Sequence, residues 1–307
     1  MRVIFVPVAD RPECAVALRT AFDLAKRLKA IVSGCHIRPH RDSDVSLTDE
    51  FAALADLNAA WESAWQSKDT NTSNTAAETL FTKMAQSNDA SILKKTDANS
   101  SGAIWLEKVG SPDRVLSIMG PVSDLLIVSR PRPNSGKLAK IFMHAALMNS
   151  SKPVLIMPQD SSQTVGRRIS IAWNQSAEAA KAVTAAMPLL QVADEVNIIT
   201  CGPETGLGPK SGQLATYLNT WGVNANHVKA KGTDDTQAIM SSVKDTRSDL
   251  LVMGAYSRSR LRQRIFGGVT DSILHREMRG RMLRLKHRFV MQLHGMILPS
   301  FESQILN

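Results

Sequence analysis

The sequence predicts an α/β chain of two doubly wound, five-stranded parallel sheets, one in each half. Three observations predict it. Short apolar runs alternate with stretches of helical periodicity from Arg2 to Met253, the pattern of parallel strands joined by right-handed helical crossovers. The pattern occurs twice: Ser123-Asp-Leu-Leu-Ile-Val-Ser129 is echoed by Ser248-Asp-Leu-Leu-Val-Met-Gly254 at an offset of 125. The opening strand and helix, Val3 to Ala30, are likewise echoed by Ile169 to Glu195, at an offset of about 166. The first copy therefore carries extra chain, visible as the polar stretch Arg41 to Ala98. The expected units are residues 1–160, residues 166–278 and an atypical basic segment, residues 279–307, with a polar linker from Gln159 to Gly166.

In the first copy Arg2 to Val8 reads as a strand. The next segment places Leu18, Ala21, Phe22, Ala25 and Leu28 on one helical face, with Pro12 suited to a first turn. Ala30 to His36 is the second strand. Asp49 to Met84 reads as helical with a polar interruption at Asp69 to Asn74. Ile104 to Val109 follows as a strand, Pro112 to Met119 as a helix, Asp124 to Ser129 as a strand, Lys137 to Asn149 as a helix and Pro153 to Met157 as the fifth strand.

The second copy repeats the plan. Strand Arg168 to Ala172 precedes a helix burying Ala179, Ala182, Val183, Ala186, Met187 and Leu190. Strand Glu195 to Thr200, helix Pro209 to Trp221, a weak strand at His227 to Lys229, helix Asp234 to Asp245 and strand Leu250 to Met253 complete it.

At 307 residues, 43% hydrophobic and 21% charged, the chain is long enough for two globular units. Three scattered cysteines, Cys14, Cys35 and Cys201, exclude a disulfide framework or a four-thiolate zinc site. No apolar run reaches membrane-spanning length and the first residues lack a signal h-region, so a cytoplasmic protein with no membrane partner is expected. Charge is uneven: ten Lys/Arg between Arg258 and Arg288, against Asp271 and Glu277, supply +8 of the net +9. Such a stretch is either a polyanion-binding element or a solvated basic face.

In open parallel sheets ligands bind beyond the carboxyl ends of strands, where strand order reverses. The loop after Met253 is the informative one: Gly254-Ala-Tyr-Ser257, nine residues, then Gly267-Gly268-Val269-Thr270 opening a helix. Glycines let backbone approach a phosphate, and free N–H groups at a helix start accept an anion. Thr270 adds a hydroxyl. Here the chain resembles the universal stress protein family, whose ATP-binding members carry Gly-x2-Gly-x9-Gly-[Ser/Thr] after the fourth strand, often followed by Val-Thr. Gly254, the spacing, Gly267, Val269 and Thr270 match. Ser257 stands at the second Gly, and Gly268 at the Ser/Thr. The resemblance covers both copies in element order. It implies a tandem protein with strand order 3-2-1-4-5 in each half, paired as an internal pseudo-dimer or a homodimer, and a site between the loops after the first and fourth strands.

By this resemblance the second half is expected to bind an adenine nucleotide, ATP with magnesium, through Gly254, Ser257, Gly267, Gly268, Val269 and Thr270. Asn174, where the family's binders commonly have Asp, either meets base or ribose or merely shapes the turn and, with Ser176, caps the helix. The first copy has lost the pattern. Pro131 and Pro133 remove donors that a phosphate cradle needs and Ile141-Phe142-Met143 replaces the small residues, so the first copy is expected to bind no ATP; Arg130 and Arg132 could still meet an anion but read rather as surface side chains.

Other candidates are weaker. Cys35, His36 and His40 lack further metal ligands, Asp234 and Asp235 read as a helix start, and Trp61, Trp65 and Trp221 as packing residues. No catalytic group is recognisable, so the chain is expected to be non-enzymatic or at most a weak ATP hydrolase. After Ile273 and Leu274 the family pattern calls for a fifth strand. Instead Arg279-Gly-Arg-Met-Leu-Arg-Leu-Lys-His-Arg288 intervenes before an apolar run, Phe289 to Leu298. A genuine tail and an altered reading frame near Met278 both produce such a change, and either puts the pairing of fifth strands in doubt. Two functional readings stand: a nucleotide-binding stress protein, and a tandem interaction module that binds no nucleotide and acts through protein or polyanion contacts.

Overall fold

The structure is a computed structural model that describes residues 1–9, 11–38, 70–97, 99–130, 137–158, 164–232, 234–254 and 289–293. The first half runs β1 (Val3–Pro7), α1 (Pro12–Leu28), β2 (Ile31–Arg38), α2 (Thr70–Gln86), β3 (Gly102–Val109), α3 (Pro112–Met119), β4 (Leu125–Ser129), α4 (Lys137–Asn149) and β5 (Val154–Met157). The second runs β6 (Arg168–Trp173), α5 (Ala177–Leu190), β7 (Glu195–Cys201), α6 (Ser211–Thr220), β8 (Ala225–Ala230), α7 (Asp235–Asp245), β9 (Leu250–Gly254) and β10 (Phe289–Leu293).

The strands form one sheet in the order β3-β2-β1-β4-β5-β10-β9-β6-β7-β8. Each half thus has the expected order 3-2-1-4-5, and the two are joined where β10 pairs antiparallel with β5 and parallel with β9. The fifth strand that the basic segment put in doubt is present. It arrives late because residues 255–288 separate β9 from β10, ten more than the 130–153 that separate β4 from β5. Phe289 lies beside Leu250 and Val290 beside Ile156, so the halves run in opposite directions across this central strand.

Burial follows the two sides of the sheet. On one side α1, α2, α5 and α6 cover a continuous core that includes Val6, Leu18, Leu24, Phe81, Val165, Ile171, Leu190, Leu218 and Val252. The other side is covered separately, by α3 and α4 over Phe5, Leu126 and Ile156, and by α7 over Ile199, Leu251 and Met253. Helix α1 starts with Pro12 in its first turn and stops at Lys29, which takes a left-handed backbone (φ 50°).

Helix α2 overrides a local expectation. Its residues Thr70 to Asn74 read as a polar break, yet the helix begins there. Tertiary contact outweighs propensity: Ala77, Phe81 and Ala85 are wholly buried. Phe81 also packs against Phe22 and Trp105, ring centroids 5.8 and 5.3 Å apart. Phe81 fits because position 34 is glycine; a Cβ there would run into its ring.

The Ser-Asp echo is a repeated staple. Asp124 Oδ2 accepts the N–H groups of Arg2 (2.5 Å) and Val3 (3.0 Å), tying the start of β1 to β4. Asp249 accepts those of Gly166 (2.8 Å), Arg167 (3.0 Å) and Arg168 (3.1 Å), tying β6 to β9. From the first half, Arg27 donates to the carbonyls of Val165 and Gly166 and pairs with Asp23 at 3.3 Å. The link between halves is therefore held from both sides.

The outer edges differ. At β3, Ala103 donates to Ser91 O and accepts from Leu93 N, both at 2.8 Å, so residues after α2 cover that edge. At the other end β8 is the last strand of the sheet, and its exposed Asn226, His227 and Lys229 explain why it read weakly. Trp221 differs from its expected packing role: it is 49% exposed, edge-on to Tyr217 at 6.5 Å. Among the described residues no helix is long and apolar enough to cross a membrane.

Candidate functional site

In the second half strand order reverses between β6 and β9, which pair directly through Ala172 and Met253. A crevice at their carboxyl ends is the place such a fold offers a ligand. Gly254 ends β9 against the first turn of α5. A Cβ on Gly254 would lie 2.6 Å from Ala179 N, 2.7 Å from Glu178 C and 3.0 Å from Glu178 Cβ, so only glycine permits this approach. The remaining expected phosphate residues, Ser257, Gly267, Gly268, Val269 and Thr270, lie outside the described residues.

The loop after β6 forms the second wall. Asn174 is exposed, and its Oδ1 accepts from Ser176 N (3.2 Å) and Ser176 Oγ (2.6 Å). Ser176 Oγ in turn accepts from Ala179 N at 3.1 Å, capping α5. The turn-shaping role weighed for Asn174 and Ser176 is thus realised at Oδ1. Among the described residues no group of three or more His, Cys, Asp or Glu side chains is gathered to hold a metal ion.

Sequence reading missed Gln175 and the loop Gly202-Pro-Glu-Thr-Gly-Leu-Gly-Pro209. Gln175 has a left-handed backbone (φ 62°). Its Nε2 donates to Gly208 O (2.9 Å) and Gly206 O (3.3 Å), and its Oε1 accepts from Gly206 N (3.0 Å). Trp173 Nε1 donates to Pro209 O at 2.9 Å. Glu204 then holds the start of α6, accepting from Ser211 N (2.6 Å) and Ser211 Oγ (2.9 Å). Three glycines within seven residues were the available signal. Burial, with Asp235 adding, pushes the neighbouring Cys201 thiol up to about 11, which removes it as a nucleophile at neutral pH.

The corresponding place in the first half is built differently. Ser129 occupies the position of Gly254, and its Oγ donates to Glu13 O in α1 at 3.0 Å. Glu13 pairs with Arg11 at 3.5 Å. Arg130 departs from the surface role expected of it: it is partly buried, and burial lowers its guanidinium to about 10. Arg132 lies outside the described residues, as do His40, Trp61 and Trp65. Cys35 and His36 point to opposite sides of β2. Burial raises the Cys35 thiol to about 12, while His36 Nδ1 faces Val8 O at 2.9 Å and its ring stacks on Trp105.

Comparison with known proteins agrees with this architecture. Residues 170–276 match the model of the universal stress protein family. A universal stress protein from Archaeoglobus fulgidus has a similar structure at TM-score 0.61 and 15% identity, over 95% of this chain and 97% of that one. A candidate universal stress protein from Pseudomonas aeruginosa is similar at TM-score 0.51 and 14% identity, over 95% and 93%. No curated protein matches the chain. Residues 170–276 thus form a universal stress protein family domain, and the two halves of the chain share the fold of those two structures.

Proposed function

We propose that the second half binds an adenine nucleotide, ATP with magnesium, in the crevice beyond β6 and β9, and that the chain acts as a stress-response regulator rather than a catalyst. The observation that carries the reading is Gly254. It brings the end of β9 within backbone contact of α5 at the point of strand reversal, and nine residues beyond Ser257 come Gly267-Gly268-Val269-Thr270. Backbone N–H groups in such a glycine-rich stretch suit phosphate oxygens, with Thr270 as a further donor. The exposed Asn174 amide is available to base or ribose.

The test is calorimetric titration of the intact chain with magnesium-ATP, beside its thermal midpoint. A ligand at ~100 times its dissociation constant that binds only the folded state adds about 2.7 kcal/mol. Saturable binding that Gly267→Val abolishes, with the unliganded midpoint unchanged, supports the reading. A folded chain that binds no nucleotide favours the second reading, a tandem module acting through protein or polyanion contacts. One observation speaks for that alternative: Asn174 Oδ1 is already engaged by Ser176.

A further inference from the structure

We infer that Gln175 is a positioning residue of this crevice, latching the Gly202–Pro209 loop as a fixed wall against the base end of the nucleotide. The inference rests on the nucleotide reading above and adds to it the determinant of base selectivity.

The latch is stereochemically specific. Three hydrogen bonds from one side-chain amide grip Gly206 and Gly208, and Trp173 holds Pro209. A Cβ at position 208 would run into the Gln175 carbonyl oxygen, and one at 206 would lie 3.1 Å from Gln175 Oε1. Loop and side chain are thus fitted to one another. Holding a glutamine at φ 62° is a backbone arrangement that L side chains rarely adopt, and such positions persist where surrounding contacts over-determine them. Beyond the latch Glu204 fixes the loop to the start of α6. Leu207, at the loop's tip, is fully exposed to solvent.

Topology gives the wall its place. The order β9-β6-β7-β8 sets the loop after β7 on the opposite side of β6 from Gly254. A nucleotide whose phosphates lie on the glycine-rich stretch after β9 and whose body crosses the end of β6 therefore turns its base toward Gly202–Pro209. A loop held in one conformation presents one fixed set of backbone donors and acceptors to a base, which is what selection between purine edges requires.

The experiment compares the intact chain with Gln175→Gly, which keeps the left-handed backbone but removes the amide, and with Gln175→Glu, which keeps the acceptor for Gly206 N but loses the donors. Hydrogen exchange at Gly206, the unliganded thermal midpoint, and affinities for ATP, GTP and AMP are measured for each. The expected result is faster exchange at Gly206 in the glycine variant, which loses the acceptor, a smaller increase in the glutamate variant, which keeps it, and a roughly tenfold smaller ATP-over-GTP preference in both. The ATP-over-AMP preference and the midpoint of the glycine variant should stay close to the parent's. Unchanged purine preference in a parent that binds ATP overturns the inference and leaves the nucleotide reading standing. Unchanged exchange at Gly206 overturns the latch itself. A parent that binds no nucleotide removes the nucleotide reading, and with it the selectivity role, whatever the exchange shows.

Discussion

The end of the fourth strand is built twice in this molecule, once with Ser129 and once with Gly254, and the two versions meet the first helix of their half in different ways. In the first half a hydroxyl bridges strand and helix through Glu13 O. In the second the strand's backbone rests directly on Glu178 and Ala179, with no space for a side chain. Two heavy atoms, the Cβ and Oγ of Ser129, separate a filled junction from a bare one. The helix starts differ in step: α1 has Pro12 in its first turn and no side-chain cap, while α5 is capped by Ser176 in the turn that Asn174 shapes. The same fold thus accepts two junctions at this point, one bridged by a side chain and one made by backbone alone.

The comparison depends on both halves sharing one sheet, and β10 is what joins them. Ending the chain at Arg288 would bare the edges of β5 and β9 together, and unpaired edges template association. We expect this to be the largest effect: a shortened chain that dimerises or aggregates through the bared edges, seen by light scattering. A stable monomer of unchanged secondary structure would show that the halves hold together without the strand.

The next effect bears on the two strand ends. Gly254→Val should cost about 3 kcal/mol in urea unfolding, because the new Cβ meets backbone that cannot swing aside. Ser129→Ala should cost only about 1 kcal/mol, one hydrogen bond. Equal costs would mean that the closeness at Gly254 is relieved by movement of α5. Arg27→Ala comes between these in reach: it removes two bonds to the linker and the pair with Asp23, a loss of about 2 kcal/mol for charge-assisted bonds of this kind. It should also lower the cooperativity of unfolding between halves, read as a broadened transition.

Much of this was legible in the sequence. Strand and helix alternation and the Ser-Asp echo located nine of the ten strands and the point of strand reversal in the second half, since these are short-range signals of periodicity and turn chemistry. What stayed hidden depends on contacts distant in sequence. Phe289 to Leu293 reads as apolar chain, but only its register against Val154–Ile156 and Leu250–Gly254 makes it the central strand. Thr70 to Asn74 is helical because Phe81 docks on Gly34. Gln175 looks like any turn residue until the loop 31 residues further on closes over it. The repeated aspartates were visible as a motif, but not as acceptors for the strand beside them.

Those aspartates offer the smallest and sharpest contrast, because the same staple titrates in opposite directions. At Asp124 burial opposes ionisation, yet the N–H groups of Arg2 and Val3, with the chain's ammonium and Lys152, outweigh it and hold the carboxyl below its usual range. At Asp249 burial wins over the N–H groups of Arg168, Gly166 and Arg167 and the charge of Arg27, and the carboxyl is raised. A lowered group contributes stability that is present above the unfolded value of about 3.9 and lost as pH falls through the folded one. A raised group contributes stability that is full below the unfolded value and lost as pH rises through the folded one. Asp124→Asn should therefore destabilise more at pH 7 than at pH 3, and Asp249→Asn more at pH 3 than at pH 7. Urea unfolding of both variants and the parent at the two pH values reads the sign directly. The same sign at both positions would mean that the three N–H donors around Asp249 overcome its burial, and that the two halves use one staple electrostatically as well as geometrically.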